Sequence, residues 1–196
     1  ALAARPDDLA ALVGLARVDA FDGRTAAAIA GLERAAAIAP QPETLALLGD
    51  LQAMSGDRAA AARQYATVRL TATLGALDGV VYDRQLILFE LDHDGATEDV
   101  LAGAQAALVA RADAAGHDLV AWALHRLGRS DEAARESDAA RASGLVDARI
   151  LYHAGAIAIA RGDVGGGRAL VRQALDLGPA LDPLERLAAE ALLAGG

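Results

Sequence analysis

Apolar residues in this chain return at steps of three and four. In the last segment Leu184, Leu187, Ala188, Ala191 and Leu192 fall on one stripe, while Glu185, Arg186 and Glu190 lie outside it. That spacing predicts an amphipathic helix from Asp182-Pro183 to about Ala194. Upstream the stripes are built from smaller residues: Leu15-Ala16, Ala28, Leu32 and Ala35, then Leu48-Gly49, Ala61, Tyr65 and Val68, and near the end Ala154-Gly155, Gly167, Val171 and Ala174. Helices are expected over 9–22, 25–39, 42–55, 57–74, 80–92, 97–111, 116–127, 130–143, 148–161 and 164–177. Valine, isoleucine and aromatic residues are too sparse and dispersed for a sheet core, so the expected fold is all-α. Ser130-Asp131-Glu132 puts a hydroxyl and two carboxylates at a helix start, where exposed amides welcome them.

The helices come in pairs. Gly23, Gly56, Gly95, Gly128 and Gly162 stand 33, 39, 33 and 34 residues apart, the length of one helix, a tight turn and a second helix. Each glycine ends the first helix of a pair at little steric cost, and Pro40 and Pro179 stop the second. Small residues on the facing sides let paired helices approach to about 8 Å. The long interval leaves extra residues around Gly75 to Gly79, enough for an extended helix and a turn. One array over 1–196 follows, with repeats at about 9–40, 42–74, 80–111, 114–145 and 148–179, a capping helix at 183–194, and a remnant of a preceding repeat at 1–8. The chain starts without methionine and reads as a piece of a longer protein.

This recurring register resembles the tetratricopeptide repeat (TPR) family across almost the whole chain. The resemblance implies a right-handed helical solenoid that acts as a non-catalytic protein- or peptide-binding scaffold through its concave groove. Three strings, Leu86-Ile87-Leu88-Phe89-Glu90-Leu91-Asp92-His93, Ala121-Trp122-Ala123-Leu124-His125-Arg126-Leu127-Gly128-Arg129 and Leu151-Tyr152-His153-Ala154-Gly155, are similar to exported bacterial proteins of this family. That similarity implies further repeats and a signal peptide upstream, and a place outside the cytoplasm.

Charge narrows the partners. The net charge is −9 and all 18 basic residues are arginine, with no basic stripe, so phosphate backbones are repelled and nucleic acid is not an expected partner. Alanine makes up much of the hydrophobic 54%, and it favours helix while burying little area. No cysteine is present for disulfide, thiolate-zinc or thiol chemistry. No apolar run reaches the ~20 residues that span a bilayer.

In the register that the family resemblance implies, the first helix of each repeat lines the groove. Tyr82, Gln85 and Phe89 of the third repeat then face it, with Asp118, Trp122 and His125 of the fourth and Arg149 and Tyr152 of the fifth. Aromatic rings beside an arginine are typical anchors of a binding surface. A bound peptide would set apolar residues on Trp122 and Tyr152 and a carboxylate on Arg149, oriented further by Asp118 and Glu43. The competing reading has the rings packed between adjacent repeats. Two alternatives of another class stay open: self-association through exposed repeat ends, and a small-ligand or metal protein using the C-terminal half.

No cofactor or metal is expected. None of the four histidines forms an i, i+3 or i, i+4 pair, and His117 and His125 sit about 12 Å apart along a helix. His93 reads as a cation at a helix C-terminus and His153 as a hydrogen-bonded residue between helices. Asp92 with Asp118 or His125 could pair for acid–base work, but no nucleophile with an adjacent base emerges, and an enzyme is not expected. Gly165-Gly166-Gly167 has no strand before it and no Lys-Ser or Lys-Thr after it, so it is no phosphate loop. Gly167 takes the place of a small packing residue.

Overall fold

The computed structural model describes residues 7–77, 84–93 and 95–195. Tyr82 and the expected start of the third repeat lie outside them. Among the described residues there are eleven α-helices and no strand: α1 (Leu9–Phe21), α2 (Thr25–Ile38), α3 (Pro42–Met54), α4 (Arg58–Leu77), α5 (Arg84–Asp92), α6 (Glu98–Ala110), α7 (Ala114–Arg126), α8 (Ser130–Arg141), α9 (Ala148–Ala160), α10 (Val164–Asp176) and α11 (Pro183–Ala194). Odd-numbered helices are the first, or A, members of successive pairs. The residues group into two compact units, 1–74 with 182–184 and 75–181 with 185–196.

In the first unit Ala16 of α1, Ala28 and Leu32 of α2, and Leu47, Leu48 and Leu51 of α3 form one buried core. Tyr65 of α4 lies flat over Gly49, where a Cβ would sit 2.5 Å from the ring. The Tyr65 hydroxyl donates to Asp50 at 2.7 Å, which gives a buried carboxylate its donor. α4 runs three residues beyond the expected Leu74, so part of the long repeat interval is extra helix.

The second unit has a continuous core drawn from α5 to α11, with Leu101, Leu119, Leu124, Ile157 and Val171 among its buried members. α9 and α10 meet through glycine. A Cβ on Gly155 would stand 2.7 Å from the Gly167 carbonyl, and one on Gly167 would stand 2.6 Å from the Gly155 carbonyl. The neighbouring glycines serve other purposes. Gly166 gives its amide to the capping carboxylate of Asp163 at 2.9 Å, and Gly165 faces open space.

The helix ends explain the uneven glycine spacing. Gly23, Gly56, Gly128 and Gly162 all have positive φ, and the residue after each donates its amide to the carbonyl five residues back, as in Arg24 to Asp19 and Arg129 to Leu124. In the third turn Gly95 itself makes that bond, to Glu90 at 2.7 Å, and its φ is not positive. Gly95 therefore stands one step later in its turn than its counterparts. Aspartates or threonine cap several helices: Asp8, Asp57, Thr97, Asp113, Asp147 and Asp163 each accept an amide of the first turn. α8 differs, because Arg129 stands at its cap with no side-chain bond and clasps Glu132 instead at 2.8 Å.

The stripe expected for α11 is turned. Glu185 and Ala189 are buried, whereas Leu187 is 52% exposed. A partner for Glu185 on α9, described below, draws this carboxylate inward.

Gly167→Ala is expected to destabilise the protein by about 2 kcal/mol, because backbone atoms block the new methyl. Gly165→Ala meets nothing and is expected to stabilise by about 0.5 kcal/mol. Urea unfolding of the two variants beside the parent chain measures both.

Candidate functional site

The second unit links each A helix to the next by a polar contact. Trp122 on α7 donates its indole N–H to Asp92 on α5 at 2.9 Å. One step on, His153 on α9 donates from Nδ1 to Asp118 on α7 at 2.9 Å. A third contact joins Arg149 on α9 to Glu185 on α11 at 2.5 Å. Each satisfies a group that the alanine-rich core leaves without water.

His153 is fully buried, and its ring lies over Trp122 with centroids 4.0 Å apart and planes 8° from parallel. Burial pushes its pKa down, but the Asp118 carboxylate, its hydrogen bond, and the fields of Glu185 and Asp92 push it up by more, so the net shift is upward from 6.5. A charged imidazole then gains from the face of the indole as well. His125 also stacks on Trp122, at 5.0 Å, with the opposite result. Burial, followed by the charges of His153 and Arg126, brings His125 down to about 4. Burial raises the Asp92 carboxyl above the usual range, opposed by His153, the indole hydrogen bond, Arg149 and His93. Burial likewise raises the Tyr152 hydroxyl, helped by Glu185 and Asp92. The two imidazoles that stack on Trp122 are thus shifted in opposite directions.

Next to these contacts the N-terminal halves of α5, α7 and α9 enclose a cavity of about 180 Å³. Leu88, Leu119 and Ile150 give it apolar walls, and Arg84, Gln85, Asp118, Asp147 and Arg149 add polar groups. Arg84 ties α5 to the joint between α6 and α7: Nη1 donates to Asp113 at 2.6 Å, and Nη2 donates to the carbonyls of Ala107 and Arg111. Gly116 leaves room for that guanidinium, which a Cβ would approach to 2.8 Å. A second hollow of about 390 Å³ lies between α8, α9 and α10, where Arg141 pairs with Asp138.

Of the expected groove residues, Gln85, Asp118 and Arg149 line the cavity together. Phe89, Trp122 and Tyr152 differ from the expectation: each is only 5% exposed, within the core rather than on an open surface. An indole can enter a core when its N–H finds an acceptor, and Asp92 is that acceptor. Phe89 stacks on His93 at 4.3 Å, and Tyr152 tilts against Trp122 at 5.7 Å. His125 is partly buried beneath Trp122, and Tyr82 lies outside the described residues. His93 Nδ1 donates to the Phe89 carbonyl at 2.7 Å, at the end of α5. The acid–base pairing considered from sequence is not formed, since Asp92 goes to Trp122 and Asp118 to His153.

Sequence reasoning passed over Arg84, Asp147 and Glu185. Asp147 had a readable signal, an aspartate directly before the apolar pattern of α9, as Asp113 stands before α7. Glu185 had none, because its partner is 36 residues away. Among the described residues no group of three or more histidines and carboxylates is placed to hold a metal, and no helix is long and apolar enough to cross a membrane.

No protein-family model matches the chain, and no curated protein matches it in sequence. In structure it is similar to a thermophilic TPR protein of Thermus thermophilus, with TM-score 0.53 and 21% identity, over 95% of this chain and 99% of that one. The chain has the fold of a TPR protein.

Because the folded-state pKa of His153 lies above 6.5, its charge contributes stability in full below that pH and loses it as pH rises through the folded value. His153→Gln is expected to cost about 3 kcal/mol at pH 6, with a smaller deficit at higher pH. Denaturant unfolding of both chains between pH 6 and 10 follows the difference.

Proposed function

We propose that this TPR-type array is a non-catalytic scaffold that holds a protein or peptide on the A helices of its C-terminal unit. The cavity at the starts of α5, α7 and α9 carries this reading, since it joins apolar walls to polar groups on three successive A helices. At about 180 Å³ it is smaller than the ~300–1,000 Å³ of pockets for drug-sized ligands, which suits one side chain of a longer partner. Contact is assigned to Gln85, Asp118 and Arg149, the expected groove residues at the cavity. Phe89, Trp122, His125 and Tyr152 hold the floor that sets those groups in place. Tyr82 belongs to the same proposal by its register. The charged groups described here serve structural bonds, and none of the described lining residues is a nucleophile beside a base, which favours a binding role.

A second reading, self-association, draws on α1, where Leu15 and Val18 are 48% and 40% exposed. Apolar residues one turn apart on a helix face suit a second copy of the chain. Leu15→Glu with Val18→Glu would then abolish any concentration-dependent rise in mass seen by sedimentation equilibrium.

Ala115 lines the cavity and is exposed, so Ala115→Trp plugs the space without cutting into the core. Peptides selected from a displayed library on the parent chain are expected to bind the plugged variant at least about tenfold more weakly, with unchanged helicity. Equal binding to both chains, measured by fluorescence anisotropy, contradicts the groove assignment.

A further inference from the structure

We propose that the cavity recognises a cationic side chain, a lysine or arginine of a peptide partner, whose ammonium or guanidinium group is taken by Asp118 and Asp147. This assignment rests on the groove reading above and adds the chemistry of the occupant.

The hydrogen-bonding capacity left over at the cavity decides its sign. Both arginines on its wall are committed. Arg84 uses its two terminal nitrogens on Asp113 and on two carbonyls, and Arg149 is held by Glu185. The amides at the starts of α7 and α9, which would otherwise attract an anion, already have the carboxylates of Asp113 and Asp147. Both guanidinium groups and the helix-start amides are therefore engaged within the chain.

The carboxylates are engaged only in part. Asp118 is only 5% exposed and lines the cavity, and among the described residues it accepts a side-chain bond only from His153, on Oδ2. Asp147 receives the amides of Arg149 and Ile150 on Oδ1, and no described residue donates to its Oδ2. Two carboxylates of the cavity lining thus each keep an oxygen that takes no hydrogen bond from a described residue, and neither can give a hydrogen bond while ionised. Leu119 and Ile150 offer the apolar wall that the methylene stem of a lysine or arginine covers. A carboxylate ligand would instead meet two negative groups and no uncommitted cation. The net charge of −9 on the whole chain draws basic segments toward it from a distance.

The test uses the full chain and a blocked heptapeptide, acetyl-Ser-Gly-Leu-Lys-Leu-Gly-Ser-amide, with the lysine replaced by norleucine or by glutamate in two controls. The lysine peptide is expected to bind at least about tenfold tighter than either control, and to weaken as salt is raised. Asp147→Asn removes the charge while keeping a good helix cap, so it is expected to weaken the lysine peptide about fivefold or more with an unchanged melting curve. 1,5-Diaminopentane separates a free amine from a peptide side chain and is expected not to displace the peptide.

Equal affinity for lysine and norleucine peptides, no effect of Asp147→Asn, or no binding of any probe at millimolar concentration overturns the cation assignment. Displacement by the diamine overturns the peptide as its source. If a control peptide binds best and Ala115→Trp blocks it, the groove reading survives without the cation. If Ala115→Trp leaves all peptide binding unchanged, the groove reading fails as well.

Discussion

The C-terminal unit is organised by a largely buried polar contact, in which His153 on α9 donates to Asp118 on α7. It is the middle of three contacts that step from one A helix to the next, Asp92 to Trp122, Asp118 to His153, and Arg149 to Glu185. Alanine-rich helices have shallow ridges, and small side chains alone leave several rotations of one helix on another close in energy. A buried donor has one low-energy partner, so the polar contacts select among those packings. Net stability from such pairs is modest, because desolvation offsets much of the attraction. Their part here is to fix register, and the cavity at the helix starts follows from that register.

Helix pairs are held together differently. Beside polar contacts such as Tyr65 to Asp50, A-to-B packing draws on close approach at glycine. Gly155 against Gly167 brings two backbones into contact, and Gly49 lets the ring of Tyr65 lie on α3. The same glycine-for-space logic recurs at Gly116, beside the Arg84 guanidinium. Arg84 ties down the α6–α7 joint and also lines the cavity.

Local information was legible in the sequence. The helices, their pairing and the close approach at Gly167 all come from period and residue size, and both act within a pair or a few residues along the chain. The displaced glycine of the third turn was not legible, because Gly95 preserves the composition of the turn while changing its position in it. For Trp122 and Tyr152 the sequence left an open groove and packing between repeats as alternatives, since a register places a side chain on a face and says nothing of what covers it. Trp122 is covered because Asp92 and His153, each about 30 residues away in sequence, meet it beside its helical neighbour His125. Glu185 looked like a solvent-facing residue by pattern and is buried, with Arg149 on α9 among its partners. For α11 the long-range contact to Arg149 goes with a buried face that differs from the apolar stripe.

The charge state of His153 is the most direct measure of whether a buried ion pair sets the register of α7 and α9. Nitrogen-15 NMR of the imidazoles, recorded across pH, separates a cation from either neutral tautomer. His153 is expected to remain doubly protonated above pH 6.5 while His125 stays neutral down to about pH 4. Two imidazoles titrating together near 6.5 would contradict this, because no charged pair would then join α7 to α9.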